Sequence, residues 1–198
     1  DAVRLALDAS GVPSGESAVV QGGIAGDDVG RTARSDPRPA LGLAGGTPLI
    51  ITTGALVGHK DHATLVRAAQ LAARSRPDLH WAIVGEGDRR GALEALIREL
   101  ALEGRVHLLG EVPDAVRLVA AADLFVMSSA MEGLGTSVPD AMALGIPVVG
   151  TAAGGIPELL QGGAGRLVPP RDPAALAEAV RSVLENPEAR AAQVARAR

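Results

Sequence analysis

Glu132 and Asp140 stand eight positions apart in a stretch otherwise made of glycine, small hydroxyl residues and apolar side chains: Gly133, Leu134, Gly135, Thr136, Ser137, Val138 and Pro139 lie between them, and Ile146 to Val149 follow. A carboxylate on a glycine-rich turn that opens a helix is suited to holding a polar ligand. Gly133 and Gly135 let the backbone approach a bound group, and the N–H groups and positive dipole end of the helix behind them favour an anion such as phosphate. Pro139 is harmless in the first turn, where N–H groups lack intrahelical partners. A surface loop capped by Thr136 or Ser137 is the plainer reading of the same residues. The ligand-site reading is preferred because similar turns recur along the chain.

Lysine occurs once, at Lys60, among 19 basic residues that are otherwise arginine. A sole lysine just behind the run Gly54 to Gly58 suggests a site that wants a compact point charge, as phosphate does. His59 and His62 flank it and could assist an anion or a proton transfer. As an i, i+3 pair they lack a third ligand at a useful spacing, so no metal site is expected. Gly85, Gly87 and Gly91 approach the dinucleotide fingerprint, but the last glycine falls one position late, which argues against a nicotinamide cofactor. The chain contains neither a Gly-x-x-x-x-Gly-Lys-Ser/Thr phosphate loop nor a Gly-x-Ser-x-Gly nucleophile elbow, which argues against a P-loop nucleotidase and a serine hydrolase.

These residues need a scaffold, and hydrophobic period supplies one. Residues 1–10 read as the end of a helix closed by Gly11, and 18–21 as a short strand; 25–46, rich in Gly, Pro, Asp and Arg, read as a linker or long loop. From residue 47 onward strands and helices alternate. Strands are expected at 49–53, 80–84, 105–109, 123–127, 146–149 and 165–168, and helices at 61–75, 89–102, 114–121, 137–144 and 173–185, with a helical turn near 156–160 and a last helix after Pro187. Such alternation predicts an α/β fold: a Rossmann-like, doubly wound parallel sheet with helices on both faces. Ligands bind such sheets beyond the carboxyl ends of the strands. Five of those ends are glycine-rich here, around Gly54, Gly85 to Gly87, Gly110 to Val112, Gly133 to Gly135 and Gly150 to Gly155. Together they predict a crevice for something polar and sizeable.

Composition bounds the partners. At 198 residues and 47% hydrophobic, the chain can bury one core of ordinary size, but only 1% is aromatic, Trp81 and Phe125. Base stacking on aromatic platforms is not expected, and a net charge of −4 carries no electrostatic footprint for nucleic acid. Without cysteine there is no disulfide frame and no thiolate metal site. No apolar run reaches the length of a membrane span and no signal peptide is visible, so a cytoplasmic location is expected. The first residue is Asp1, which suggests a piece of a longer protein.

The run from Glu132 through Asp140 to Val149, followed by Ala153, Gly154, Gly155, Ile156, Pro157 and Glu158, resembles the signature of the retaining, GT-B-fold glycosyltransferases of the "glycosyltransferases group 1" family. Gly54 to Lys60 is similar to that family's first donor loop, Ile83 to Gly87 to its second, Val106 to Val112 to its third, and Gly165 to Ala177 to its closing element. Gln21 to Ile24 resembles the turn that leads from the first domain of the family into the second. The resemblance implies one half of a GT-B fold: residues 1–24 ending a preceding acceptor-binding domain, and 47–198 forming the nucleotide-sugar domain.

The roles that the resemblance implies fall on particular positions. Glu132 would contact hydroxyls of the donor sugar near the reacting centre. Asp140 would stand where the family has a ribose-binding Glu, one methylene longer. Lys60 would neutralise the diphosphate with N–H groups of Gly135, Thr136 and Ser137. Gly54, Gly85, Gly87, Gly133 and Leu134 would line the donor, and Gly110, Glu111 and Val112 would face the nucleobase. Ala55 departs from the pattern, since many members carry a second phosphate-binding Arg there. The implied reaction moves a hexose from a nucleoside-diphosphate sugar with retention, with no cofactor and no metal required, onto an acceptor held by the missing domain; peripheral membrane attachment of the full-length protein is compatible with it. An epimerase on the same scaffold and a non-catalytic nucleotide-binding module are the rival readings, and a phosphorylase is disfavoured because Lys60 is badly placed for pyridoxal phosphate.

Overall fold

The computed structural model describes residues 35–197. The expected helix at 1–10, the strand at 18–21, the turn at Gln21 to Ile24 and residues 25–34 of the expected linker lie outside the described residues. Residues 35–46 contain turns and no helix or strand.

The strands are β1 (Leu49–Thr53), β2 (His80–Val84), β3 (Val106–Gly110), β4 (Leu124–Met127), β5 (Val148–Thr151) and β6 (Arg166–Val168). The helices are α1 (His62–Ala72), α2 (Arg90–Glu99), α3 (Val116–Val119), α4 (Ser137–Ala143), α5 (Ile156–Leu159), α6 (Pro173–Glu185) and α7 (Pro187–Arg196), with 3-10 turns at Gly58–Lys60 and Gln161–Gly163. All five pairings are parallel, in the order β3-β2-β1-β4-β5-β6. The chain thus winds outward from β1 in one direction and then, from β4, in the other. The junction of β1 and β4 is the switch point, where adjacent loops diverge and leave a crevice.

The strands read as continuous apolar runs because both faces of the sheet are covered. Successive residues point to opposite sides. Ile50, Trp81, Ile83, Leu124 and Val126 join Leu65, Val66, Leu93, Leu96, Leu176 and Val180 of α1, α2 and α6 in one core. Leu49, Ile51, Ala82, Val84, Phe125 and Met127 join Leu118, Val138, Ala141, Ile156 and Leu160 in the other.

Several elements are shorter than the period suggests. The helix expected at 61–75 ends at Ala72, that at 89–102 spans Arg90–Glu99, and that at 114–121 shrinks to Val116–Val119. The strand expected at 146–149 runs Val148–Thr151 instead. Pro147 has no N–H to give to a ladder and contributes only its carbonyl, which accepts from Phe125 N at 2.9 Å. The helix starts are better marked: Asp61, Asp172 and Asn186 each accept a capping hydrogen bond from an N–H three residues on.

Candidate functional site

The carboxyl ends of β1 and β4 bring Lys60 and Glu132 together. Lys60 Nζ donates to Glu132 Oε2 at 2.6 Å, across 72 positions of sequence. Both side chains are mostly buried, with 19% and 10% of their surface exposed. Lys60 arrives on the 3-10 turn that follows β1, and Glu132 on the loop that follows β4. The two loops are tied to each other directly. Ala130 N donates to His59 O at 2.8 Å, and the Ser128 hydroxyl donates to Lys60 O at 3.0 Å.

Glu132 is held by more than the lysine. Ser129, fully buried, donates its hydroxyl to Glu132 Oε2 at 2.9 Å, and Gly133 N donates to Oε1 at 3.1 Å. Thr151 at the end of β5 donates to Ser129 O at 2.6 Å, so the loop is anchored to the neighbouring strand. Burial opposes ionisation of Glu132, but the hydrogen bonds from Lys60 and Ser129, the lysine charge and the Gly133 N–H together outweigh it and hold the carboxyl below its ordinary value. Glu132 is therefore an ionised acid in a polar cradle.

Two glycines make this cradle possible. A Cβ on Gly154, at φ +55°, would lie 1.6 Å from Glu132 O, so only glycine lets the β5 loop pass beneath the Glu132 loop. A Cβ on Gly85, at φ +147°, would lie 2.0 Å from Gly54 O. At Gly87 the same space is taken by the backbone of Leu56. Gly54, Gly85 and Gly87 thus lie together, with backbone filling the room that side chains would need, and Gly85 N donates to Gly110 O at 2.8 Å to draw in the third loop.

Asp140 sits on α4, half-buried, and has no hydrogen-bond partner among the described residues; burial alone raises its pKa. Gly135 is buried beneath Ile156, at φ +60°. Thr136 occupies the N-cap position but makes no capping hydrogen bond, so the first N–H groups of α4 are not satisfied by it. Ser137 is half-buried, Gly133 and Glu111 are exposed, and Val112 packs on the second core. Leu134 is 53% exposed and Met131 67%, so two apolar side chains flank the buried Glu132 on its outer side. His59 and His62 do not flank Lys60 as a pair. His59 is exposed, and His62 is buried on α1. Among the described residues no group of three potential metal ligands occurs, and no helix is long and apolar enough to cross a membrane.

Ser128, Ser129 and Thr151 were not singled out by sequence reasoning. Their signal was available: hydroxyl residues at the carboxyl ends of β4 and β5, where apolar strands stop being apolar, are buried polar groups that must find partners.

Comparison with known proteins places this geometry in a family. Residues 34–198 match the family model described as "Glycosyl transferases group 1". A GDP-mannose-dependent monoacylated alpha-(1-6)-phosphatidylinositol monomannoside mannosyltransferase of Corynebacterium glutamicum is 33% identical over 174 residues, covering 83% of this chain and 45% of its own length. The lipopolysaccharide core biosynthesis glycosyltransferase LpsE of Rhizobium meliloti is 35% identical over 126 residues, or 64% of this chain and 36% of its own length. The crystal structure of Anabaena Alr3699/HepE with UDP-glucose superposes with a TM-score of 0.86 at 28% identity, covering 98% of this chain and 55% of that one. The chain spans about half the length, or less, of the proteins it matches. The chain, with its six-stranded all-parallel sheet, belongs to the glycosyl transferases group 1 family.

Proposed function

We propose that this chain is the donor-binding half of a retaining glycosyltransferase that moves a hexose from a nucleoside-diphosphate sugar to an acceptor held by a further domain. The observation that carries the reading is the Lys60–Glu132 pair at the β1–β4 switch point. An ammonium there can meet a diphosphate while the carboxylate turns to sugar hydroxyls. Without a ligand, each is the other's partner; a bound diphosphate would replace Glu132 on Lys60 or share it.

In the reaction, the bond between the anomeric carbon and the diphosphate oxygen breaks, a bond to the acceptor oxygen forms, and the acceptor proton passes to the departing phosphate. Negative charge builds on the leaving group. Lys60 and the N–H groups of Gly135, Thr136 and Ser137 stabilise it from fixed positions, which lowers the barrier without a metal. Glu132 orients the sugar and Asp140 accepts from the ribose. The relatives differ in donor, since one is GDP-mannose-dependent and the HepE structure holds UDP-glucose. The nucleobase therefore has to be measured.

Calorimetric titration with UDP, GDP and ADP and their sugars tests the reading. Lys60→Ala should weaken the cognate nucleotide by about 1.5–3 kcal/mol, the usual size of a hydrogen bond to a charged group, and Lys60→Arg should not fully restore it. Asp140→Asn should weaken the nucleoside diphosphate and the sugar nucleotide alike. Glu132→Gln should leave the nucleoside diphosphate unchanged or tighter, because it releases Lys60. Equal affinity in wild type and Lys60→Ala overturns the assignment.

A further inference from the structure

A cavity lies behind the β1 loop and is lined by neither Lys60 nor Glu132. It holds about 240 Å³ and is lined by Val57, Gly58, Asp61, His62, Ala63, Arg89, Ala92, Leu93 and Leu96. Its walls are the 3-10 turn, the amino end of α1 and the amino end of α2. These helices are 11 and 10 residues long. The N–H groups of His62 and Ala63 on α1, and of Gly91 and Ala92 on α2, have no acceptor among the described residues. Two positive dipole ends therefore converge on one cavity.

His62 is the feature that structural packing does not use. It is 4% exposed and lines the cavity, and neither ring nitrogen takes part in a hydrogen bond within the protein. Gln193 Oε1 is the only side-chain N or O atom among the described residues that is both sealed from solvent and unpartnered, so the His62 nitrogens reach open space, and the space it lines is this cavity. Arg89 stands at the rim, its guanidinium beside Gly58. The one carboxylate in the lining, Asp61, is committed: its two oxygens accept from Thr64 N at 3.3 Å and from the Thr64 hydroxyl at 2.7 Å. Asp88 is the other nearby acid, 4.0 Å from Arg89 Nε and mostly exposed. The floor of Val57, Ala92, Leu93 and Leu96 is apolar.

We infer that this cavity binds a small oxyanion, a carboxylate or phosphate, with its charge between Arg89, His62 and the two helix ends. The His62 N–H donates to the ligand, and Arg89 exchanges its loose contact with Asp88 for a charge-assisted pair. A compact hydrocarbon attached to a carboxylate would cover Leu93 and Leu96.

The 198-residue chain, labelled with nitrogen-15, is titrated with isovalerate and separately with inorganic phosphate. The amides of Ala63 and Ala92 and the His62 ring nitrogens are followed by NMR. Saturable shifts at these groups are expected, with affinity falling about ten-fold or more in Arg89→Ala and by less in Lys60→Ala, whose charge reaches His62 but does not line the cavity. Tighter binding of isovalerate identifies an organic acid as the ligand class, and tighter binding of phosphate the bare oxyanion. Arg89 is exposed, so its loss does not threaten the fold. No saturation at these groups in either titration overturns the inference, and so does an affinity that Arg89→Ala leaves unchanged or that Lys60→Ala weakens more than Arg89→Ala does.

Discussion

The two ends of the sheet each hold a buried cation, and they use it in opposite ways. At the amino end, Arg38 is 6% exposed and uses four of its five donors: its Nε donates to Thr47 O at 2.7 Å, Nη1 to Asp36 Oδ1 at 3.0 Å and Ala121 O at 2.9 Å, and Nη2 to Asp123 Oδ2 at 2.6 Å. Asp123 Oδ2 also accepts from Leu49 N at 2.8 Å, so this cluster clamps the segment before β1 onto the base of β1 and β4. At the carboxyl end, Lys60 has three donor hydrogens and one partner among the described residues, Glu132. A cation with four of five donors committed to carbonyls and carboxylates of its own fold is structural. A cation with one of three committed, on a loop held by hydrogen bonds from the neighbouring loop, suits the ligand role proposed above.

The sharpest way to break this contrast is to remove each cation. Arg38→Ala should cost about 3 kcal/mol of stability, because it removes four hydrogen bonds, two of them to carboxylates and two to backbone carbonyls, and should leave nucleotide affinity unchanged in the folded fraction. Lys60→Ala should also cost about 3 kcal/mol, because it leaves the mostly buried Glu132 carboxylate without its cation, but it should add a large loss of nucleotide affinity. Denaturant titration beside calorimetry separates them; similar losses of nucleotide affinity in the two variants would erase the distinction.

The histidines sharpen it through pH. His62, at the carboxyl end, has its pKa lowered to about 4, by burial first and by the Lys60 charge second, with Asp61 opposing. The unfolded chain binds this proton near pH 6.5 and the folded chain does not, so stability is complete above pH 6.5 and falls as pH drops toward 4. The loss should be about 3 kcal/mol from this residue, and His62→Gln should remove most of it when unfolding is compared at pH 7 and pH 4. At the amino end, His80 Nδ1 and His107 Nε2 are 3.2 Å apart with ring centres at 5.5 Å and planes 11° apart. The centres are farther apart than the nitrogens by about one ring width; the rings therefore meet edge to edge in one plane, sharing one proton, rather than stacking.

The smallest expected effect falls on Ser129. Ser129→Ala should cost about 1 kcal/mol and raise the Glu132 pKa, since its hydroxyl is one of the groups that lower it. A depressed carboxyl contributes stability above its unfolded pKa and loses it as pH falls through the folded one. The acid limb of the stability profile should thus move to higher pH in Ser129→Ala. A Glu132 titration, followed by NMR, that is identical in the variant would mean that Ser129 does not position the acid.

Alternation of apolar runs with amphipathic ones was enough to read the sheet and its parallel sense, and glycine at the strand ends to read the edge where the loops of the proposed site gather. Those signals are local: a period of two or 3.6 and a turn chemistry are written within a dozen residues. Helix ends were less legible, because an apolar period continues past the point where Pro77 or Pro147 forbids the hydrogen bonds. Lys60 and Glu132 were each visible by type and context, but their 2.6 Å contact was not. It depends on β4 lying beside β1, a strand order that no local pattern encodes and that the packing of two cores enforces. The same holds for Ser129 beneath Glu132, for the four hydrogen bonds of the Arg38 guanidinium and for the unpartnered ring of His62. Whether a polar side chain ends with its bonds made or left open is decided only when distant segments close around it.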